Sequence, residues 1–283
     1  MQRPQYITIV ITILLVISLF AATRNDLFGE RKVKKAVTSA PSQAEAISTD
    51  SILFFAKKSL PPQQVERLNQ LENSVTRGDV RGQKLAAYHQ LAHFWADTAK
   101  VFAPYAWYTA EAARLENSEK SLTFAAHLFL NNLMYEDNPQ VKQWEASQAK
   151  DLFERSLSVN PENDSSKVGL GAAMIYGASA MPMEGLGKIR EVLAKDSANI
   201  FALLTLGKAS LISGQLDKAI ERFQTVHKLE PTNAEPVLLL ADTYERMGRR
   251  DEAIEWYKKS IPLVPNQVYK QEVEHRINEL KNK

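Results

Sequence analysis

Two histidines one helical turn apart are the first candidates for chemistry in this sequence. His89 and His93 stand four residues apart, a spacing that places both imidazoles on one helix face and suits a metal ion. The zinc-protease motif with this spacing has glutamate directly after the first histidine, whereas this chain has Gln90. No third ligand lies nearby in the sequence. We interpret the pair as helix-packing histidines and predict no metal site.

Glycines at 169–171 and 185–188 raise the question of phosphate binding. Neither stretch follows a predicted strand, and Pro182 stands where a phosphate loop ending at residue 188 needs its first glycine. Close helix packing and a loose turn explain these glycines better. The adhesion-like tripeptide at 77–79 and the glycosylation sequon at 163–165 fit a turn and a helix cap.

The composition removes further classes of chemistry. The 283-residue chain has no cysteine, which excludes disulfides, cysteine-ligated zinc, iron–sulfur clusters and thiol nucleophiles. No serine–histidine–carboxylate spacing or convergent carboxylate pair stands out. A net charge of +2 argues against nucleic acid as the main partner, because phosphate binding needs a concentrated excess of basic residues. We predict no catalytic residue and no cofactor.

The N-terminal stretch predicts a membrane anchor at residues 1–23. Between Arg3 and Arg24 no residue is charged. As a helix rising about 1.5 Å per residue, this segment spans the hydrocarbon core of a bilayer, roughly 30 Å thick. We expect residues 6–22 to cross the lipid bilayer once. A cleaved signal peptide is the alternative, but residues 19–21 fit a cleavage site poorly.

Residues 24–59 predict a basic juxtamembrane linker. The cluster at 31–35 carries four basic residues, and it either rests on anionic headgroups or belongs to a solvated linker. The following stretch is rich in serine, threonine and alanine, as in a tether, whereas the apolar residues 51–60 are expected to dock on the first helices. The basic flank leans slightly toward a cytoplasmic position of the large domain and leaves the periplasm open.

The C-terminal part of the chain repeats itself at a spacing of 34 residues. The matching positions are Leu206 and Leu240, Gly214 and Gly248, Ala219 and Ala253, Phe223 and Tyr257, and Pro231 and Pro265. Each unit predicts two helices: one carries the leucine, glycine ends it, and the second carries alanine and the aromatic ring. Neither helix buries its apolar face alone, so units of this length stack into an array.

At these positions the chain resembles the tetratricopeptide repeat (TPR) family. The family pattern is a leucine–glycine pair on the first helix, alanine and an aromatic residue on the second, and a closing proline. Residues 164–267 match it as repeats, and residues 60–163 match it loosely as degenerate ones. The stripe of Tyr269, Val273, Ile277 and Leu280 predicts a capping helix at 268–283. The resemblance implies an all-α fold: an N-terminal transmembrane helix followed by a right-handed solenoid of helical hairpins.

The resemblance also implies a binding surface on the concave face of the array. The family's groove positions fall on three successive first helices of this chain. They are Val168, Ala172 and Ile175; Phe201, Leu204 and Lys208; and Glu235, Leu238, Asp242 and Glu245. The family's lysine-and-asparagine clamp for a C-terminal carboxylate is missing. The mixed apolar and acidic surface predicts an apolar or basic segment of a partner protein or peptide. The alternative is that Phe201 and Leu204 only pack against the neighbouring repeat.

The leading hypothesis is therefore a membrane-anchored scaffold or adaptor without enzymatic activity. It is similar to bacterial single-pass TPR proteins that assist the assembly of complexes at the cytoplasmic (inner) membrane. The alternative is a structural oligomer that associates with itself and needs no external ligand.

Overall fold

In a computed structural model, the structure describes residues 47–77, 80–177, 182–264 and 266–282, all within one compact unit that spans residues 46–283. The predicted anchor at residues 6–22, most of the linker and residues 78–79 of the predicted turn lie outside this description. Within the described ranges, every helix is too short or too polar to serve as a membrane span.

The described residues form an all-α array, as predicted. The helices are α1 (Thr49–Lys58), α2 (Pro62–Arg77), α3 (Arg81–His93, extended by a π-helical stretch Phe94–Ala99), α4 (Phe102–Glu116), α5 (Glu119–Leu133), α6 (Pro139–Val159), α7 (Asp164–Tyr176), α8 (Pro182–Lys195), α9 (Ile200–Ile212), α10 (Leu216–Leu229), α11 (Ala234–Arg246), α12 (Arg250–Ser260) and α13 (Gln267–Asn282). From α3 to α12, consecutive helices pack as hairpins, α3 with α4 through α11 with α12.

Asparagine starts the first helix of successive hairpins. The side chain of Asn163 accepts from the backbone N–H of Ser166 at 2.8 Å, and Asn199 accepts from Ala202 at 3.0 Å. Asn233 repeats this cap at the start of α11. Each cap satisfies a backbone donor that the first helical turn leaves unpaired, so these residues set where each helix begins.

Glycine ends the first helix in the two clearest repeats. Gly214 and Gly248 have φ values of +71° and +73°, in the left-handed region that side chains with a Cβ rarely adopt. In each turn the residue after glycine donates to a carbonyl five residues back, Gln215 to Ser210 at 2.8 Å and Arg249 to Tyr244 at 2.9 Å. This closure is the one that the repeat pattern predicts.

The hairpins pack through small residues that face rings. A Cβ added to Gly207 would lie 2.3 Å from the Phe223 ring of the partner helix α10. Gly169 of α7 faces Phe153 of α6 in the same way, at 2.2 Å. Phe153, Phe223 and the adjoining Ala219 are fully buried. The rings therefore fill the space that the missing Cβ atoms leave, and this contact brings the helices close.

Three helices lie outside these hairpins, α1 and α2 before them and α13 after them. At the N-terminal end, residues 49–58, counted with the linker in the sequence analysis, form helix α1, which buries Ile52 and receives a hydrogen bond from Trp144 on Thr49 at 3.0 Å. At the other end, α13 buries Val273, Ile277 and Leu280. The fourth residue of the expected stripe, Tyr269, is instead 59% exposed, because it lies in the first turn of α13, before the buried positions begin.

Candidate functional site

A pocket of about 180 Å³ opens between the first helices of four hairpins. Its walls come from α5, α7, α9 and α11, so residues far apart in the sequence meet there. The lining residues are Leu130, Asn131, Met134, Ala172, Tyr176, Phe201, Leu204, Thr205, Lys208 and Glu235. Most of the lining is apolar or aromatic, Asn131 and Thr205 are polar, and the two charged residues belong to α9 and α11. We call this set the first-helix pocket.

Hydrogen bonds fix one wall of the pocket. The Tyr176 hydroxyl donates to the backbone carbonyl of Thr205 at 3.0 Å, and the Thr205 hydroxyl donates to the carbonyl of Phe201 at 2.7 Å. Burial raises the pKa of Tyr176, so its hydroxyl keeps its proton and remains a donor at neutral pH. The aromatic wall is therefore held in place before any ligand arrives.

A histidine supports the ring of Phe201 at the pocket edge. The imidazole of His127 lies with its centroid 5.3 Å from that of Phe201 and 5.2 Å from that of Phe153. Its Nε2 atom is 3.0 Å from the hydroxyl of Ser165. Burial lowers the pKa of His127, which favours a neutral ring at pH 7. His127 therefore acts here as an aromatic spacer between two hairpins.

The acidic residues of the predicted groove have partners within the protein. Lys208 Nζ lies 2.5 Å from Glu235 Oε1, and Arg246 Nε lies 2.9 Å from Asp242 Oδ2. Glu245 accepts from the hydroxyl of Tyr257 at 3.1 Å, and it also binds the Arg276 guanidinium of α13. A basic ligand has to compete with these pairs. Of the two predicted ligands, an apolar segment and a basic segment, the geometry therefore favours the apolar one.

The structure brings half of the predicted groove residues into this pocket. Ala172, Phe201, Leu204, Lys208 and Glu235 line it together. Of these, Ala172 is fully buried and Leu204 nearly so, whereas Phe201 and Lys208 are half-buried and Glu235 is exposed. Leu238, Asp242 and Glu245 lie on α11 and are half-buried, as is Ile175 on α7. Val168 is fully buried in a core cluster with Ile189, Val192, Ala202 and Leu206, so it presents no surface to a ligand.

Five lining residues were absent from the predicted groove. Leu130 and Asn131 belong to α5 and Met134 follows it, in the loosely matched part of the chain, where no groove position was predicted. Tyr176 and Thr205 come from helices that were assigned groove positions, one residue beyond a named position in each case. The repeat register extended to α5 is the signal that could have found the first three.

His89 and His93 lie on the protein surface and not, as predicted, between packed helices. The side chains of His89 and His93 are 50% and 79% exposed, so the helix-packing interpretation is wrong for both. Each pairs with a carboxylate, His89 with Glu116 at 3.1 Å and His93 with Asp97 at 3.3 Å. Over the residues that the structure describes, no cluster of three histidine or acidic side chains is arranged to hold a metal ion.

Comparison with known families identifies the repeat unit. The family described as tetratricopeptide repeat matches residues 210–271, which run from the end of α9 into α13. No curated protein matches this chain.

Solved structures share the TPR architecture. The TPR protein TTC0263 from Thermus thermophilus is 17% identical, covers 72% of this chain and 100% of its own, and superposes with a TM-score of 0.51. YrrB, described as a TPR protein with an unusual peptide-binding site, is 17% identical over 72% of this chain and 97% of its own, with a TM-score of 0.40. MamA from Desulfovibrio magneticus RS-1 is 21% identical over 65% of this chain and 97% of its own, with a TM-score of 0.43. The likeness to the Thermus protein supports a TPR helical-hairpin fold.

Proposed function

We propose that this protein is a membrane-anchored TPR scaffold that holds an apolar segment of a partner protein in the first-helix pocket. The observation that carries the proposal is the pocket itself, where four first helices converge on a mainly apolar lining that hydrogen bonds hold in place on one side. Apolar side chains that enter such a site leave water without reorganising the protein, which favours binding. The proposed ligand is a short segment whose one or two apolar side chains insert between Phe201 and Leu204.

The anchored part of the proposal rests on the sequence of residues 6–22. An anchor confines the array to the membrane surface and raises the local concentration of bound partners near other membrane components. We place the protein in a bacterial cytoplasmic membrane as a single-pass protein, in support of complex assembly there. The slight charge bias favours a cytoplasmic array.

Site-specific photo-crosslinking tests the binding site. We would place a photoreactive phenylalanine analogue at Leu238, beside the pocket, and at Met183, which is 68% exposed on α8. In native membranes we expect an adduct from position 238 that position 183 does not give. Mass spectrometry is expected to map the adduct to an apolar segment of the partner.

A second variant connects the adduct to the pocket. Leu204→Glu places a charge on the pocket floor and is expected to reduce the adduct at 238 at least tenfold, since a charge is costly in an apolar site. The matched control is Leu229→Glu, at a half-exposed position at the end of α10. Circular dichroism verifies that both variants remain helical. Equal adducts at 238 and 183, or an adduct insensitive to Leu204→Glu, would show that the pocket is not the binding site.

The same experiment examines self-association as the alternative function. An adduct at 238 that contains only a second copy of this chain would favour the structural oligomer. Analytical ultracentrifugation of the detergent-solubilised full chain would then show a concentration-dependent dimer that Leu204→Glu dissociates.

A further inference from the structure

Helix α1 turns two phenylalanine rings toward solvent. Phe54 and Phe55 are 62% and 61% exposed, and their ring centroids lie 5.6 Å apart in an edge-to-face arrangement. The opposite side of the helix holds it to the array, because Ile52 is buried and Leu53 packs against the cluster that contains Leu91 and Trp95. The two exposed rings therefore contribute little to the core.

A lysine lies on the same side of α1 as the rings. Lys58 stands four residues after Phe54 and three after Phe55, so it shares the helix face of both rings. Its side chain is exposed. Lys57 points elsewhere and pairs with Glu72 of α2 at 2.6 Å. Asp50, in the first turn, is the acidic residue at the edge of this face. Two rings with a lysine whose stem can lie along apolar surface are typical of a helix at a lipid interface.

We propose that the face formed by Phe54, Phe55 and Lys58 docks on the surface of the lipid bilayer. The rings enter the boundary between headgroups and acyl chains, and the ammonium group contacts lipid phosphates. This inference rests on the proposed anchoring. Docking gives the array a second attachment to the membrane besides the N-terminal anchor and restricts its rotation about the linker.

The chain that precedes α1 argues for lipid as the occupant. The uncharged stretch of residues 4–23 lies a short linker upstream of α1, and that linker includes the basic cluster at 31–35. An anchored chain keeps α1 at a high effective concentration at the bilayer surface, so even weak interfacial binding is populated. Anionic lipids complement Lys58 and the basic cluster, each basic residue near the surface contributing attraction.

The absence of cysteine allows a direct measurement on the full chain. A spin label at Ser59→Cys, one turn beyond Phe55, reports the depth of the α1 face in vesicles of phosphatidylethanolamine and phosphatidylglycerol. Ser158→Cys on α6 is the matched control, because both serines are exposed and donate to a backbone carbonyl. We expect the label at 59 to collide mainly with oxygen, which concentrates in lipid, and the label at 158 to collide mainly with a water-soluble nickel chelate.

Removing the rings provides the second comparison. Phe54→Ser and Phe55→Ser, introduced together with the label at 59, are expected to move that label into water, each ring changing the docked-to-free ratio by about tenfold. Vesicle flotation of this variant is expected to remain unchanged, since the anchor is intact. Far-ultraviolet circular dichroism verifies that the array stays folded.

Three results would overturn the inference, and they differ from one another. A chain that floats with vesicles while its label at 59 collides mainly with the nickel chelate disproves docking and leaves the anchor standing. A label shielded from both reagents means that protein, such as a second copy, covers the rings. A chain that does not float disproves anchoring and docking together, while crosslinking at the first-helix pocket remains a separate result.

Discussion

At the scale of single residues, the carboxyl group of Glu145 is buried and only partly satisfied by hydrogen bonds. Glu145 of α6 is fully buried, and its Oε1 atom accepts from Asn132 at 2.7 Å. Its Oε2 atom has no hydrogen-bond partner among the described residues. Burial, and to a smaller degree the nearby Glu136, raises the pKa of Glu145 to about 7, although the Asn132 bond opposes this change.

The raised pKa makes the stability of the fold depend on pH. Between about pH 4.5 and 7 the folded chain keeps a proton on Glu145 that the unfolded chain has released. The stability that this proton contributes to the folded state is therefore complete at low pH and is lost as pH rises through 7. Glu145→Gln keeps an acceptor for Asn132 and cannot ionise. At pH 8 we expect it to raise the free energy of unfolding by about 2–3 kcal/mol, and at pH 4 to change it little.

Urea unfolding over a pH series measures this difference. Glu154→Gln, on the exposed side of the same helix, serves as the control and is expected to follow the native profile. Parallel profiles for Glu145→Gln and the native chain would show that the carboxyl group ionises as easily in the folded state as in the unfolded one.

At the scale of helices, the hairpin of α9 and α10 depends on a glycine that faces an aromatic ring. The close approach of α9 and α10 exists because Gly207 has no Cβ where the Phe223 ring lies. In the previous first helix, α7, glycine permits a close approach of a different kind, since a Cβ at Gly171 would meet the backbone oxygen of Gly185 at 2.5 Å. Glycine is costly in a helix, so its presence here reflects packing.

Two glycine-to-alanine substitutions separate packing from helix propensity. Gly207→Ala drives a methyl group into the Phe223 ring, and we expect a loss of about 1–3 kcal/mol in stability, the range for overpacked cores. Gly187→Ala lies on α8 with open space around its added Cβ, and we expect a gain of about 0.5–1 kcal/mol from helix propensity. Chemical unfolding of both variants gives the comparison. Equal stabilities would show that Phe223 does not pack against residue 207.

How far the sequence predicts the structure depends on how often a signal recurs. Residues 119–133 fall in the loosely matched part of the chain, yet they form a first helix, because Ser118 caps its start and its apolar residues keep helical spacing. The same register predicts that Phe201 and Leu204 share a face. It fails at Val168, which α8 and α9 cover with Ile189, Val192 and Ala202. Which residues the neighbouring helices cover is decided by tertiary packing, and the residue spacing within one helix does not predict it.

The two exposed histidines also show that the pattern of one helix does not predict its burial. Here burial was predicted and the structure shows exposure. Spacing alone indicates that His89 and His93 share a helix face, and the structure agrees. Which face of α3 meets the core depends on α2 and α4, whose sequences depart furthest from the repeat. Pairing with Glu116, distant in sequence, likewise depends on how α3 and α4 pack.

At the scale of the whole molecule, a stacked array leaves an apolar surface at each end. Helix α13 covers the C-terminal end: Leu280 joins the core cluster of the last two hairpins, and Arg276 binds Glu245 of α11. Its other side is polar, which is what the final unit of an open array requires. The helix therefore both completes the core and neutralises a half-buried carboxylate.

Removing this helix tests whether the cap stabilises the array as a whole. A chain truncated before Val268 exposes the surface that Val273, Ile277 and Leu280 cover, and we expect it to aggregate and to unfold at a lower temperature. The control lacks only residues 281–283, beyond the last buried position, and is expected to behave as the native chain does. Light scattering and thermal unfolding followed by circular dichroism give both readouts. If the truncated chain stayed monomeric with an unchanged melting temperature, α11 and α12 would be stable without a cap, and α13 would be an appendage to the array.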